Sequence, residues 1–122
     1  MVEVDWFLEV ITLRDRVEKL KVQFPAEALT VCRKAMEAIQ NSLFHERFGK
    51  IPDGHIMYNK MMGPLLIGEM ISKTAKIEFN TIVEWGNYGS HFQIEEEPTE
   101  NHVEKALDSL DNLTEWRFPG RK

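Results

Sequence analysis

The sequence has a single cysteine, Cys32, in 122 residues. That excludes an intramolecular disulfide and any thiolate-rich zinc site. Glycine and proline are sparse, with 7 and 5 residues, so there is little from which to build a disordered linker or low-complexity tail. Positive charge is not in excess: 15 Lys and Arg stand against 20 Asp and Glu, a net charge of −5. A general cationic field for nucleic acid is therefore missing, and any polyanion contact has to be local. No stretch approaches the ~20 apolar residues of a membrane span. The opening segment carries Glu3, Asp5 and Glu9, charges that interrupt the apolar run of a secretory leader. The expectation is a soluble, cytoplasmic protein with no membrane partner. The 4 histidines have no HxH or HExxH spacing, and no Gly-rich phosphate loop or nucleophile elbow is present. Neither a metal nor a cofactor is expected.

What is present is helical spacing. With 43% apolar and 10% aromatic residues, the chain can build one core, and residues 1–122 read as a single domain. From Asp5, a candidate N-cap, to about Val22, the apolar residues Phe7, Leu8, Ile11, Val17 and Leu20 recur at three- and four-residue spacings. Pro25 suits the first position of a second helix, in which Ala28, Leu29, Cys32, Met36, Ile39 and Leu43 share one face while Glu27, Lys34 and Asn41 fall elsewhere. Gly49 and Ile51-Pro52-Asp53-Gly54 read as a loop, followed by two short helices in the Met-rich run before and after Gly63-Pro64. Met57, Met61, Met62 and Met70 are read as flexible core fillers rather than a binding surface. Phe79, Ile82, Val83 and Gly86 predict a helix from about Lys76 that ends near Gly86-Asn87-Tyr88-Gly89. Phe92-Gln93-Ile94 suits a short extended piece. Thr99 then caps a last helix through Val103, Ala106, Leu107, Leu110, Leu113 and Trp116. The fold class is all-α, a bundle of four to five helices.

Chemistry concentrates on the fourth of these segments. At about 100° per residue, Asn80, Glu84, Asn87 and His91 fall in one arc beside the apolar stripe. A carboxylate, an amide and an imidazole on one surface can serve as a general acid or base with orienting partners. They can equally form a solvated helix face, with Asn87 tied into the Gly86–Gly89 turn and His91 bonded to backbone. Gly86, Gly89 and Ser90 point to close packing against another helix, because a helical glycine costs about 1 kcal/mol relative to alanine. Arg33 and Glu37, four apart on the second helix, are placed for an ion pair. Arg33 is also the arginine to consider for phosphate contact. Trp6, Phe7, Trp116 and Phe118 lie on the first and last segments, where they close the core or remain available to a partner.

Three features taken in order resemble the HEPN superfamily: Pro25-x-x-Ala28-Leu29-x-x-x-Arg33-Lys34-Ala35-Met36-Glu37-x-Ile39, then Gly86-Asn87-x-x-x-His91, then Pro98-Thr99 with Val103 to Trp116. The pattern is similar to a branch associated with prokaryotic restriction and defence proteins. The resemblance implies a HEPN-like four- to five-helix bundle and a homodimer. It also implies, in active members, a metal-independent ribonuclease whose signature is an arginine followed by a histidine with four to six residues between them. Here positions 84–86, before His91, hold Glu84, Trp85 and Gly86, and the windows before His45, His55 and His102 also lack arginine; Lys50 before His55 is the nearest basic substitute. Two functions follow. One is an RNA- or nucleotide-associated domain with His91 and Asn87 as catalytic candidates and Arg33 and Glu84 as substrate-binding candidates. The other is a non-catalytic module that dimerises or docks onto a larger effector.

Overall fold

The computed structural model describes residues 4–53, 58–63, 67–91 and 97–121, and the side chains of all of these but 59 and 88–91. Over these residues the protein is all-helical. The elements are α1 (Trp6–Leu20), α2 (Pro25–Phe48), the single turn α3 (Tyr58–Met61), a 3-10 turn at Gly68–Met70, α4 (Lys73–His91) and α5 (Glu100–Arg117). No helix among the described residues is long and apolar enough to cross a membrane.

Local chemistry sets the helix ends. Asp5 caps α1, its Oδ1 accepting the Leu8 backbone N–H at 3.0 Å. Pro25 opens α2, and Gly49 closes it in the left-handed region at φ 72°, its N–H donating to the His45 carbonyl. Thr99 and His102 cap α5 reciprocally, the His102 ring accepting the Thr99 backbone N–H at 3.0 Å.

The longest helix, α2, is the axis against which α1, α4 and α5 all pack, and α4 packs in turn on α5. All six residues expected to line α2 (Ala28, Leu29, Cys32, Met36, Ile39 and Leu43) are buried. Phe79 and Ile82 from α4 and Val103, Leu110 and Leu113 from α5 complete the centre. Met36 and Met61 are core residues, and Met62 and Met70 pack against the core; Met57 lies outside the described residues. Edge-on ring pairs join the core to its rim: Phe7 with Phe118 at 5.6 Å and Phe79 with Trp116 at 6.3 Å.

Two expectations need correction. Leu8 and Ile11 do not join the core of α1. The buried line is Phe7, Val10 and Val17, while Leu8 is 58% and Ile11 36% exposed. Residues about 100° apart around a helix cannot all face one neighbour, and Val10 and Val17, seven apart, set the inward direction. The glycines of α4 do not end it, since the helix runs unbroken through Gly86 and Gly89 to His91. The two short helices expected around Gly63 are present, one an α-turn and the other a 3-10 turn. Phe92–Ile94 lies outside the described residues.

Candidate functional site

The unbroken backbone of α4 keeps Asn80, Glu84, Asn87 and His91 on one arc. What faces this arc from α2 is Arg33. A Cβ added at Gly86 would lie 2.9 Å from Arg33 Cδ, 3.0 Å from its Cβ and 3.3 Å from its Cγ. The missing side chain at Gly86 is therefore the space that the arginine stem occupies. Gly86 is buried, yet it sits in mid-helix at ordinary helical dihedrals. Its role here is close approach rather than backbone freedom.

Passing over Gly86, the Arg33 guanidinium reaches Asn87, its Nη1 donating to Oδ1 at 2.6 Å. Its Nε lies 3.6 Å from Glu37 Oε1, the expected pair at four-residue spacing. The two charged side chains are 30% and 34% exposed, so this ion pair is half-buried and less screened than a free surface pair. Arg33, Glu37 and Asn87 thus form a clasp that ties α2 to α4. Asn87 is engaged by another helix rather than by a Gly86–Gly89 turn, because no turn exists there.

The other candidates stand apart from the clasp. Glu84 is exposed one turn before Asn87, and among the described residues no ion pair or hydrogen bond joins it to Arg33 or Asn87. His91 is the last residue of α4, and its side chain lies outside the described residues. Two of the four site residues are therefore brought together, one is separate and one is placed by its backbone alone. His55, the partner considered for Lys50, also lies outside them.

Two histidines have structural partners. Trp6 Nε1 donates to His45 Nδ1 at 3.2 Å. His102 is stacked on Trp85 at 5.0 Å with 26° between the rings, and Lys105 Nζ sits 5.9 Å from the same indole. The arc also has a partner that sequence spacing did not reveal, since the Tyr58 hydroxyl donates to Asn80 Oδ1. Burial raises the Tyr58 pKa, keeping the phenol a neutral donor. Tyr58 stands in the Met-rich run with no periodicity tying it to α4, so no sequence signal connects the two. Cys32, buried on α2, is no nucleophile. Desolvation pushes its thiol up to about 12, the Asp111 charge adding to the effect and Arg14 opposing it.

No group of three or more His, Cys, Asp or Glu side chains able to hold a metal occurs among the described residues. The chain matches no family model, no curated protein and no solved structure.

Proposed function

We propose that this chain is a non-catalytic helical interaction module, a HEPN-like bundle that associates with another protein surface in the defence or stress setting its sequence resemblance implies. The observation that carries this reading is the Arg33 clasp. The arginine singled out for phosphate contact donates Nη1 to Asn87 at 2.6 Å, and its Nε faces Glu37 as an ion pair at 3.6 Å. A guanidinium that stabilises a phosphoryl-transfer transition state needs its fork of donors directed at the reacting group. One held by a carboxylate and an amide across two helices is instead built to fix those helices. The net charge of −5 adds no attraction for RNA.

The competing reading is metal-independent RNA cleavage by His91 with Asn87 and Arg33. It draws on the meeting of Arg33 and Asn87, which brings a cation beside the arc that leads to His91. Incubating the purified protein with labelled tRNA and mixed single-stranded RNA in EDTA, beside its His91→Ala variant, decides between them. The interaction module leaves the RNA intact in both. Cleavage by the parent that disappears in His91→Ala overturns it and turns the clasp into a substrate-binding element.

A further inference from the structure

The cations of this chain are unevenly satisfied. Its ion pairs engage Arg14, Lys19, Lys21, Arg33, Arg117 and Arg121. Arg47, Lys50, Lys60, Lys73 and Lys76 are all exposed, and none has a carboxylate partner among the described residues. These come from three separate stretches of chain, yet the fold collects them. Arg117 on Ser42 and Trp116 on Phe79 set the end of α5 against the end of α2 and the start of α4, while Arg33 meets Gly86 toward the opposite ends. The helices α2 and α4 therefore run antiparallel. Arg47 is about 20 Å along α2 from Arg33, and Lys73 about 20 Å back along α4 from Gly86, so the two stand level at one end of the bundle. Lys50 follows the C-cap of α2, and Lys76 stands one turn after Lys73. The bond from the Tyr58 hydroxyl to Asn80 holds α3, and with it Lys60, against the first half of α4.

Apolar side chains stand among these cations. Phe48 is 40%, Ile51 45% and Ile77 63% exposed. Of the nearby carboxylates, Glu46 is engaged by Arg117 and Glu78 by Asn112, which leaves exposed Asp53 and Glu69. On a chain of net charge −5, this end thus has a local excess of free positive charge.

The chemistry of the patch selects its occupant. A uniformly charged polyanion, whether RNA or a lipid headgroup layer, meets Asp53 and Glu69 as repulsion. The exposed ring of Phe48 is already taken by Phe44 at 4.7 Å and by the Arg47 guanidinium at 5.4 Å, so it offers no free platform on which a base can stack. The other four cations are lysines, point charges on apolar stems rather than planar forks for phosphate. Carboxylates spaced among apolar side chains, as along an amphipathic helix, complement the lysines and the isoleucines together and step past the two acids.

We infer that the end of the bundle formed by the close of α2 and the opening of α4 is a docking surface for an acidic, amphipathic segment of a partner protein, held by Lys73, Lys76, Lys50 and Ile77. This rests on reading the chain as an interaction module and specifies the chemistry of its partner.

The probe is a fluorescein-labelled synthetic helix of about 20 residues with Glu and Leu on one face, titrated with the full chain and followed by fluorescence anisotropy. A Gln-for-Glu version, mixed single-stranded RNA and vesicles of equal parts phosphatidylserine and phosphatidylcholine are the comparison ligands. The acidic helix is expected to bind with Kd on the order of 10–100 μM and to weaken as NaCl rises from ~50 to ~300 mM. Lys73→Glu with Lys76→Glu weakens it about tenfold, and Ile77→Ser about fivefold. Arg16→Glu with Lys34→Glu changes the net charge equally, away from the patch, and leaves binding within about twofold. Circular dichroism confirms that each variant remains helical. Absent binding at ~500 μM, equal binding of the Gln version, equal loss in the control pair, or tighter binding of RNA or vesicles overturns the docking surface. Any of these with RNA left intact leaves the interaction-module reading standing with a different partner surface. RNA cleavage lost in His91→Ala removes that reading instead.

Discussion

Replacing Gly86 with alanine sets two effects of opposite sign against each other, and the geometry decides between them. In mid-helix an alanine is favoured over glycine by about 1 kcal/mol. Against this, the new methyl lands 2.9 Å from Arg33 Cδ and 3.0 Å from Arg33 Cβ. Cδ can swing aside, but Cβ is fixed to the α2 backbone, so relief requires α2 and α4 to part. Overpacking of this kind costs about 1–3 kcal/mol. Displacing the arginine stem also stretches the 2.6 Å bond to Asn87, a further loss of ~1 kcal/mol for a charge-assisted contact at a half-exposed position. The net expectation is a destabilisation of about 1–3 kcal/mol. At ~2.1 cal/mol/K per residue, unfolding 122 residues makes each 1 kcal/mol worth roughly 4 °C, so Tm falls by ~4–12 °C. Thermal melts by circular dichroism measure it, and an Arg33→Ala background supplies the control. With the Arg33 stem removed beyond Cβ, the Cδ and Cγ contacts and the Asn87 bond are gone and only the 3.0 Å Cβ contact remains, so Gly86→Ala costs less than in the parent, a coupling of ~1 kcal/mol between the two sites. A Gly86→Ala protein that melts higher than the parent, or a cycle with no coupling, refutes the view that Gly86 exists to seat Arg33.

Two further outcomes follow from single groups. Because burial raises the Cys32 thiol to about 12, its protonated form is the one that folding favours. Stability from this group is complete below the unfolded thiol pKa and declines as pH rises from ~9 toward 12, by at most ~1.4 kcal/mol per pH unit. Native protein should therefore resist a thiol reagent at pH 8 and react fully once denatured; prompt reaction of the native state contradicts the burial. Arg117 Nε donates to Ser42 Oγ at 2.8 Å, and its Nη1 lies 3.7 Å from Glu46, a link from α5 to the end of α2. Arg117→Met should lower stability by ~1–2 kcal/mol in urea titrations, and an unchanged midpoint refutes the contribution.

Which parts of this molecule could be read from its sequence depends on how far apart the interacting atoms lie along the chain. Asp5, Pro25, Gly49 and Thr99 act on backbone within four residues, so helix ends are local chemistry and were legible. The face of α2 was legible because a 24-residue helix repeats its pattern often enough to average out errors of phase. The 15-residue α1 does not, and its five apolar residues at three- and four-residue spacings span more than a half-turn. Only the contact with α2 shows that Val10 and Val17 point inward and that Leu8 and Ile11 are left outside.

The candidate site divides along the same line. Arg33 and Glu37 share one helix, and their pairing follows from spacing alone. Asn87 is 54 residues from Arg33, and the only trace of their meeting in the sequence is the glycine beside it. The energetic cost of Gly86 in a helix announced that something approaches closely, but no pattern stated what. An arginine facing an exposed amide arc is, on residue types alone, as good a phosphate ligand as a structural brace. The difference lies in whether its nitrogens are already satisfied within the fold. Here Nη1 donates to an amide on α4 at 2.6 Å and Nε lies 3.6 Å from a carboxylate on α2. A phosphate approaching the Nε edge of the fork meets Glu37, an anion already in place, so the arrangement that joins Arg33 to the arc favours bracing two helices over phosphate contact.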